Sequence, residues 1–267
     1  MSSAFTLLTG SATHVGMARK LNEDSLLTRP EIGLWVVADG MGGHGGGDVA
    51  SQSVVSALAT LDASDSAPEL LSRFEERILR VNADLRTLAR ARGEAVIGTT
   101  LAALLIHGAH YACVWCGDSS AYLLRGRVFA QISRDHSEVQ DLVDRGILEA
   151  SEAKTWPRRN IITRALGVAD EANLEIADGP AQQGDRFLLC SDGLTGHLSD
   201  HEIAAVLATG SPQNACDHLI AMTLQRGASD NVSVIVIACE SDMRTIRSEG
   251  SWRKNAGGQG IPDRGIG

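Results

Sequence analysis

Four apolar runs follow one another between Gly98 and Ile132, and the links between them are too short to return the chain to the start of a parallel neighbour. They read TTLAALLIH, YACVWC, SAYLLR and VFAQI, the last after the turn Arg125-Gly126-Arg127. A parallel pair needs a crossover of a dozen or more residues, so consecutive strands here pair antiparallel and a repeated βαβ fold is excluded. Further strand-like runs lie at Thr6–His14, Leu34–Ala38, Leu174–Ala177, Arg186–Cys190 and Asn231–Cys239, with a short one after Glu23-Asp24.

Two helices are expected between the early strands and the meander. The first, over Asp48–Leu61, places Val49, Ala50, Val54, Ala57, Leu58 and Leu61 on one face. The second opens on a capping box, Ser66 with Glu69, and an early Pro68. It carries Leu70, Phe74, Ile78, Val81, Leu85 and Leu88 and stops at Gly93. A mixed, mobile stretch is expected over Ser137–Gly167, and two more helices near Ser199, again with a capping box to Glu202, and near Ser211. From Met243 to Gly267 the periodicity is lost and Gly, Arg and polar residues take over. The reading is one folded domain over 1–242 and a disordered Gly/Arg-rich tail over 243–267.

The 267 residues carry a net charge of −9, which repels nucleic acid and anionic membrane surfaces, and no apolar run approaches the roughly 18 residues of a membrane span. A cytoplasmic protein without membrane insertion or nucleic-acid partner is expected. Five scattered cysteines do not form a disulfide framework. Cys113 and Cys116 form a C-x-x-C, but on the strand YACVWC a three-residue offset sends them to opposite faces, against a zinc or redox pair.

The stretch LWVVADGMGGHGGG contains GMGGHG, which fits the G-x-G-x-x-G dinucleotide fingerprint, and Asp62 lies near the required distance downstream. Asp62, however, ends a helical pattern instead of a second parallel strand, and Asp39 puts a carboxylate where a pyrophosphate would be repelled. Acids recur at strand ends: Glu23 and Asp24 in NED, Asp39 in ADG, Asp118 in GDS, Asp192 in SDG and Asp230 in SDN. Singly each is ordinary turn chemistry. Together they can converge along one edge of packed sheets, where they cannot all ionise without a cation. An oxygen-only donor set with no His or Cys at matching spacing favours hard Mg²⁺ or Mn²⁺, and a pair of such ions activates water and clamps a phosphoryl group.

In order along the chain come R-x-x-N-E-D at Arg19–Asp24, ADGMGGHGGG, GTT at Gly98–Thr100, GDS at Gly117–Ser119, DHS at Asp135–Ser137, TRALG at Thr163–Gly167, CSDGLT and SDNVSVIVI. This ordered set, over residues 5 to 240, resembles the metal-dependent protein serine/threonine phosphatases of the PPM (type 2C) family in its bacterial form. The resemblance implies an α+β fold, an αββα four-layer sandwich of two antiparallel sheets flanked by pairs of helices. It implies two Mn²⁺ or Mg²⁺ ions, with a third in bacterial members. Asp39 would bridge both ions, Asp192 and Asp230 complete the first, and the Gly40 carbonyl and Glu23, through water, serve the second. Asp118 with Asp192 would hold the third, with Asp24 and Asn231 behind the ligands.

By the same resemblance Arg19 would bind phosphate, and a metal-bridging hydroxide would attack phosphorus directly, so the catalytic residues are Arg19, Asp39 and Asp192. Ser119 and Ser191 are then not nucleophiles. Phosphorylated Ser/Thr proteins, an opposing Ser/Thr kinase and a monomeric state are the implied partners and assembly. The pattern departs at Met41, where animal members place a His that can protonate the leaving group. A metal-bound water is the expected acid here, with His44 the weaker candidate. Ser120 stands where bacterial members place an Arg, and Val139–Pro157 corresponds to the family's flap, with Arg145, Lys154, Arg158 and Arg159 in or beside it. A catalytically weak phosphoprotein-binding regulator on the same fold is the alternative. Retention of Asp39, Asp192 and Asp230 argues for the enzyme.

Overall fold

Strand alternation in this chain has to serve two cores at once, because a strand with a sheet packed on one face and helices on the other buries both sets of side chains. The computed structural model describes residues 5–43, 45–94, 96–153 and 155–241. His44, Lys154 and the expected tail lie outside the described residues. Chain order is β1 (Thr6–His14), β2 (Asp24–Arg29), β3 (Leu34–Gly42), α1 (Gly46–Ala59), α2 (Ala67–Arg92), β4 (Ile97–Thr99), β5 (Leu101–His107), β6 (His110–Cys116), β7 (Ser120–Arg125) and β8 (Val128–Gln131). Then follow α3 (Glu138–Asp144), α4 (Ala150–Ala153), β9 (Glu175–Pro180), β10 (Arg186–Cys190), α5 (Asp192–Thr195), α6 (Asp200–Leu207), α7 (Pro212–Gln225) and β11 (Val232–Glu240).

One sheet has the order β1-β11-β10-β7-β8 and the other β2-β3-β5-β6-β9, with β4 paired to β3, and every pairing is antiparallel. Trp35, Val37, Ala102, Leu104 and Trp115 from one sheet meet Phe187, Leu189, Ile235 and Ile237 from the other in the central core. The alternate residues Leu34, Val36, Leu101 and Val114 pack outward on α1 and α2, and Leu188, Val234 and Val236 pack outward on α6 and α7. This is the expected four-layer αββα sandwich. Cys113 lies in the central core and Cys116 in the outer one, on opposite faces of β6 as the strand period requires.

Helix α2 matches its expected span because its end signals are local. The Ser66 side chain accepts from Glu69 N–H, and Gly93 closes the last turn in the left-handed region at φ 67°. Helix α1 starts two residues earlier than expected. Asp48 looks like a cap, but its Oδ1 accepts from the adjacent Val49 N–H, and Gly45 is the N-cap.

The run from Gly98 to Ile132 departs from a simple meander in two places. TTLAALLIH is interrupted at Thr100, which divides β4 from β5. β5 and β6 form one hairpin and β7 and β8 another, but β6 and β7 belong to different sheets. The Gly117-Asp118-Ser119 link therefore carries the chain across the sandwich instead of turning it back. Short links require antiparallel pairing only when both strands share a sheet, which this link does not satisfy.

Candidate active site

The registers bring the acidic strand ends to a single edge. Asp24, opening β2, is the direct cross-strand partner of Asp39 near the end of β3. Cys190, the last residue of β10, pairs with both Ser120 and Val234. Asp192, just past β10, is thus brought to the same end as Asp118 before β7 and Asp230 before β11. Like charges directly opposite each other destabilise a sheet, so the Asp24/Asp39 pair is a local cost that folding alone does not explain.

Each acid is held by its backbone. Asp39 O accepts from Thr100 N–H at 2.8 Å and from Thr99 Oγ1 at 2.9 Å, while Asp39 N–H donates to Thr100 Oγ1 at 3.0 Å. The interruption at Thr100 is therefore what fixes Asp39, and the same hydroxyl lies 2.6 Å from Ser119 Oγ in the neighbouring crossing. Asn231 ties the N-terminal loop in place. Its Oδ1 accepts from Glu23 N–H at 2.8 Å, and its Nδ2 donates to Val15 O at 2.9 Å and Leu21 O at 3.0 Å. Its own N–H donates to Asp230 Oδ1 at 2.8 Å.

The glycines of the loop serve close approach. A Cβ on Gly40 would lie 1.9 Å from Gly47 O, and one on Gly47 would lie 2.5 Å from Glu23 Oε1. The loop is thus pressed against the Glu23 segment. With β3 flanked by antiparallel neighbours, it does not open a parallel dinucleotide-binding unit.

Burial is the first cause of the shifted acidities. It pushes Asp39 well above the usual carboxylate range, reinforced by Asp24, Asp192, Asp118 and Asp230. Asp118 is likewise raised well above it by burial, then by Asp192 and Asp135. Asp24 and Asp192 are each raised to about 6 by burial, aided in Asp192 by Asp230 and opposed there by Arg19. Glu23 is also raised, again chiefly by burial. Arg19 lies at the rim with its side chain 52% exposed, and its guanidinium donates to Asp230 Oδ2 at 2.7 Å.

These residues fit a hard divalent cation. The donors are all oxygen, they share one edge, and mutual repulsion among them is what a cation would remove. Asp24 Oδ2 accepts from Ser191 Oγ at 2.9 Å, whereas its buried Oδ1 has no partner among the described residues. Among the described residues no group of three or more His, Cys, Asp or Glu side chains is arranged to hold a metal ion by itself. An ion that keeps several waters and also takes a backbone carbonyl does not require such a group. Ser191 and Ser119 are both buried, bonded to Asp24 and Thr100 respectively, which suits structural hydroxyls.

Sequence reasoning gave no role to Thr99, Thr100 or Asp135. Asp135 is raised by burial, acts on Asp118, and accepts from Gln131 Nε2 at 2.7 Å. Its signal was the DHS motif, whose spatial neighbour only the crossing between sheets reveals.

Paired helices on two face-to-face antiparallel sheets, with acids gathered at one end, make up the architecture of the PPM phosphatase fold. The family model described as protein phosphatase 2C matches residues 17–221, and the chain belongs to that family. It is 38% identical over 222 residues to the serine/threonine protein phosphatase PstP of Mycobacterium tuberculosis, covering 83% of this chain and 43% of that protein. The chain thus spans less than half the length of that relative. It is 32% identical over 234 residues to the serine/threonine phosphatase stp of Listeria monocytogenes, covering 84% of this chain and 93% of that one.

Among solved structures, PppA, described as a key regulatory component of T6SS in Pseudomonas aeruginosa, superposes with a TM-score of 0.83 at 42% identity, covering 89% of this chain and 100% of that one. The PstP catalytic domain in complex with two manganese ions superposes with a TM-score of 0.80 at 36% identity, covering 88% and 100%.

Proposed function

We propose that this chain hydrolyses phosphoserine and phosphothreonine in proteins, with Mn²⁺ or Mg²⁺ as cofactor. The observation that carries the reading is the convergence of Asp24, Asp39, Asp118, Asp192 and Asp230 on one edge of the sandwich, beside the exposed Arg19. Asp39 would contact two ions, Asp192 and Asp230 one of them, and the Gly40 carbonyl with Glu23 through water the other. Asp118 and Asp192 would hold a third, and Asp24 and Asn231 would orient the ligands from behind. When bound, the ions supply a hydroxide nucleophile at neutral pH, offset phosphoryl charge and acidify the water that protonates the leaving oxygen.

The chain's own residues do the rest. Arg19 presents a guanidinium fork to two phosphate oxygens, and the Thr99 and Thr100 bonds hold Asp39 at a fixed position on the edge. Met41 has no proton to give. The domain over 1–242, a monomeric state, a cytoplasmic location and an opposing Ser/Thr kinase belong to the same proposal. No helix among the described residues is long and apolar enough to cross a membrane.

p-Nitrophenyl phosphate tests the reading. Hydrolysis is expected to require added Mn²⁺ or Mg²⁺, to stop with EDTA, and to collapse in Asp39→Asn and Asp192→Asn. Metal-independent turnover would overturn it, and phosphopeptide binding without turnover in Mn²⁺ would favour the regulator instead.

A further inference from the structure

Strand β3 presents Trp35 and Val37 to the central core, and the same two-residue alternation carries on to Asp39 and Met41. The strand thus changes along one face from core, to acid, to an apolar side chain at the mouth of the sandwich. Met41 lines an open groove of about 290 Å³ with Val96, Ile162, Ala165, Val168 and Arg164. Residue 98, which pairs with Met41, is glycine, so the methionine side chain lies close over its backbone. A Cβ there would lie 2.9 Å from Met41 Cε and 2.8 Å from Leu166 O. Val168 is 47% exposed, an apolar side chain left open to solvent beside an acidic edge.

We propose that this groove is a specificity subsite for an apolar side chain, such as Leu or Met, two positions from the phosphorylated residue of the substrate. The inference rests on the phosphatase reading above. In extended chain, side chains two residues apart point the same way about 7 Å apart, the spacing that separates Asp39 from Met41 along β3. An extended substrate segment running along the direction of β3 with its phosphate at the Asp39 edge would bring the side chain two residues away to Met41.

The lining decides what that side chain is. Arg164 is the one cation among the groove residues. Its NH1 donates to Glu175 Oε1 at 2.7 Å, so its charge is already engaged. Acidic side chains would have to compete with Glu175 for it and are repelled by the neighbouring aspartates. Met41, unbranched and polarizable, adapts to apolar groups of different shape.

The test is a panel of phosphothreonine peptides carrying Leu, Met, Ala or Asp two positions before or two positions after the phosphothreonine. kcat/KM in Mn²⁺ and binding by fluorescence anisotropy are both measured, with p-nitrophenyl phosphate turnover in parallel. Leu or Met at one of these positions is expected to exceed Ala by roughly tenfold, with Asp below Ala. Val168→Asp should remove that preference while p-nitrophenyl phosphate turnover stays within about twofold, and Val168→Ser, which an exposed position tolerates, should weaken it in the same direction. Equal values for Leu, Ala and Asp in wild type, or a preference surviving Val168→Asp, would overturn the proposal. If wild type fails to hydrolyse p-nitrophenyl phosphate, the phosphatase reading falls, and the anisotropy series alone decides the groove.

Discussion

Asp185 and Asp192 flank opposite ends of the same five-residue strand, β10, and the protein treats them in opposite ways. Asp185 is 1% exposed and fully served. Arg125 donates to its two oxygens from Nε and NH2, each at 2.7 Å, and Gln182 N–H adds a third bond at 2.8 Å. Asp192 has other acids for neighbours, and the rim arginine, Arg19, followed by a side-chain hydrogen bond with Asp39, pulls it toward ionisation. The fold can satisfy a buried aspartate with a guanidinium fork and a backbone N–H, and does so at one end. At the other end it gathers several acids and leaves the buried Oδ1 of Asp24 without a protein partner among the described residues. Buried acids gathered in one place, one of them with an unpartnered oxygen, in a chain that pairs Asp185 in full at the other end of the strand, are what a site for a cation would require.

The comparison breaks most visibly under substitution of Asp39. Asp39→Asn is expected to lower metal-dependent kcat by roughly a thousandfold. In metal-free protein it should raise stability by about 1 kcal/mol, because it removes a repelling acid. Unchanged turnover would place Asp39 among the structural acids. Asp185→Ala is expected to do the reverse, lowering stability by about 3 kcal/mol in urea unfolding while kcat is unchanged, since it strands Arg125 and the Gln182 N–H.

Arg19→Ala should raise KM for a phosphopeptide by about tenfold, the size of one lost charge-assisted hydrogen bond, with a smaller change in kcat. A further test is the pH dependence of metal-free stability. Asp192 has a folded acidity raised to about 6 against an ordinary value of 3.8, so its stabilising share is present below about 4 and lost as pH rises through about 6. Thermal melts of wild type and Asp192→Asn in EDTA should therefore coincide near pH 4 and separate by pH 6.5, with the variant higher. The smallest effect is expected at a water-screened pair. Arg158 donates to Glu138 at 2.7 Å with 63% of its side chain exposed, and Arg158→Ala should cost less than about 0.5 kcal/mol by urea unfolding.

What the sequence disclosed follows the range of the physics involved. Helix α2 was readable to its last residue because Ser66 and Gly93 act within one turn. The separation of Cys113 from Cys116 was readable because strand period is local. The acids were readable as strand-end residues, and their order along the chain carried the family. The link at Gly117–Ser119 was not readable, since three polar or small residues suit a hairpin turn as well as a crossing between sheets. The roles of Thr100 and Asp135 were hidden for the same reason. Each depends on a partner brought close by that crossing.

The crossing also changes what kind of loop this is. Surface connections usually absorb insertions, and chains can often be cut and rejoined there. Here three residues join two sheets and carry Asp118, so a single added residue would shift β7 against β10 and move an acid of the site together. Fold and chemistry share one short span of backbone, which makes it the wrong place to lengthen, permute or graft, although it lies between strands where protein engineers ordinarily look first.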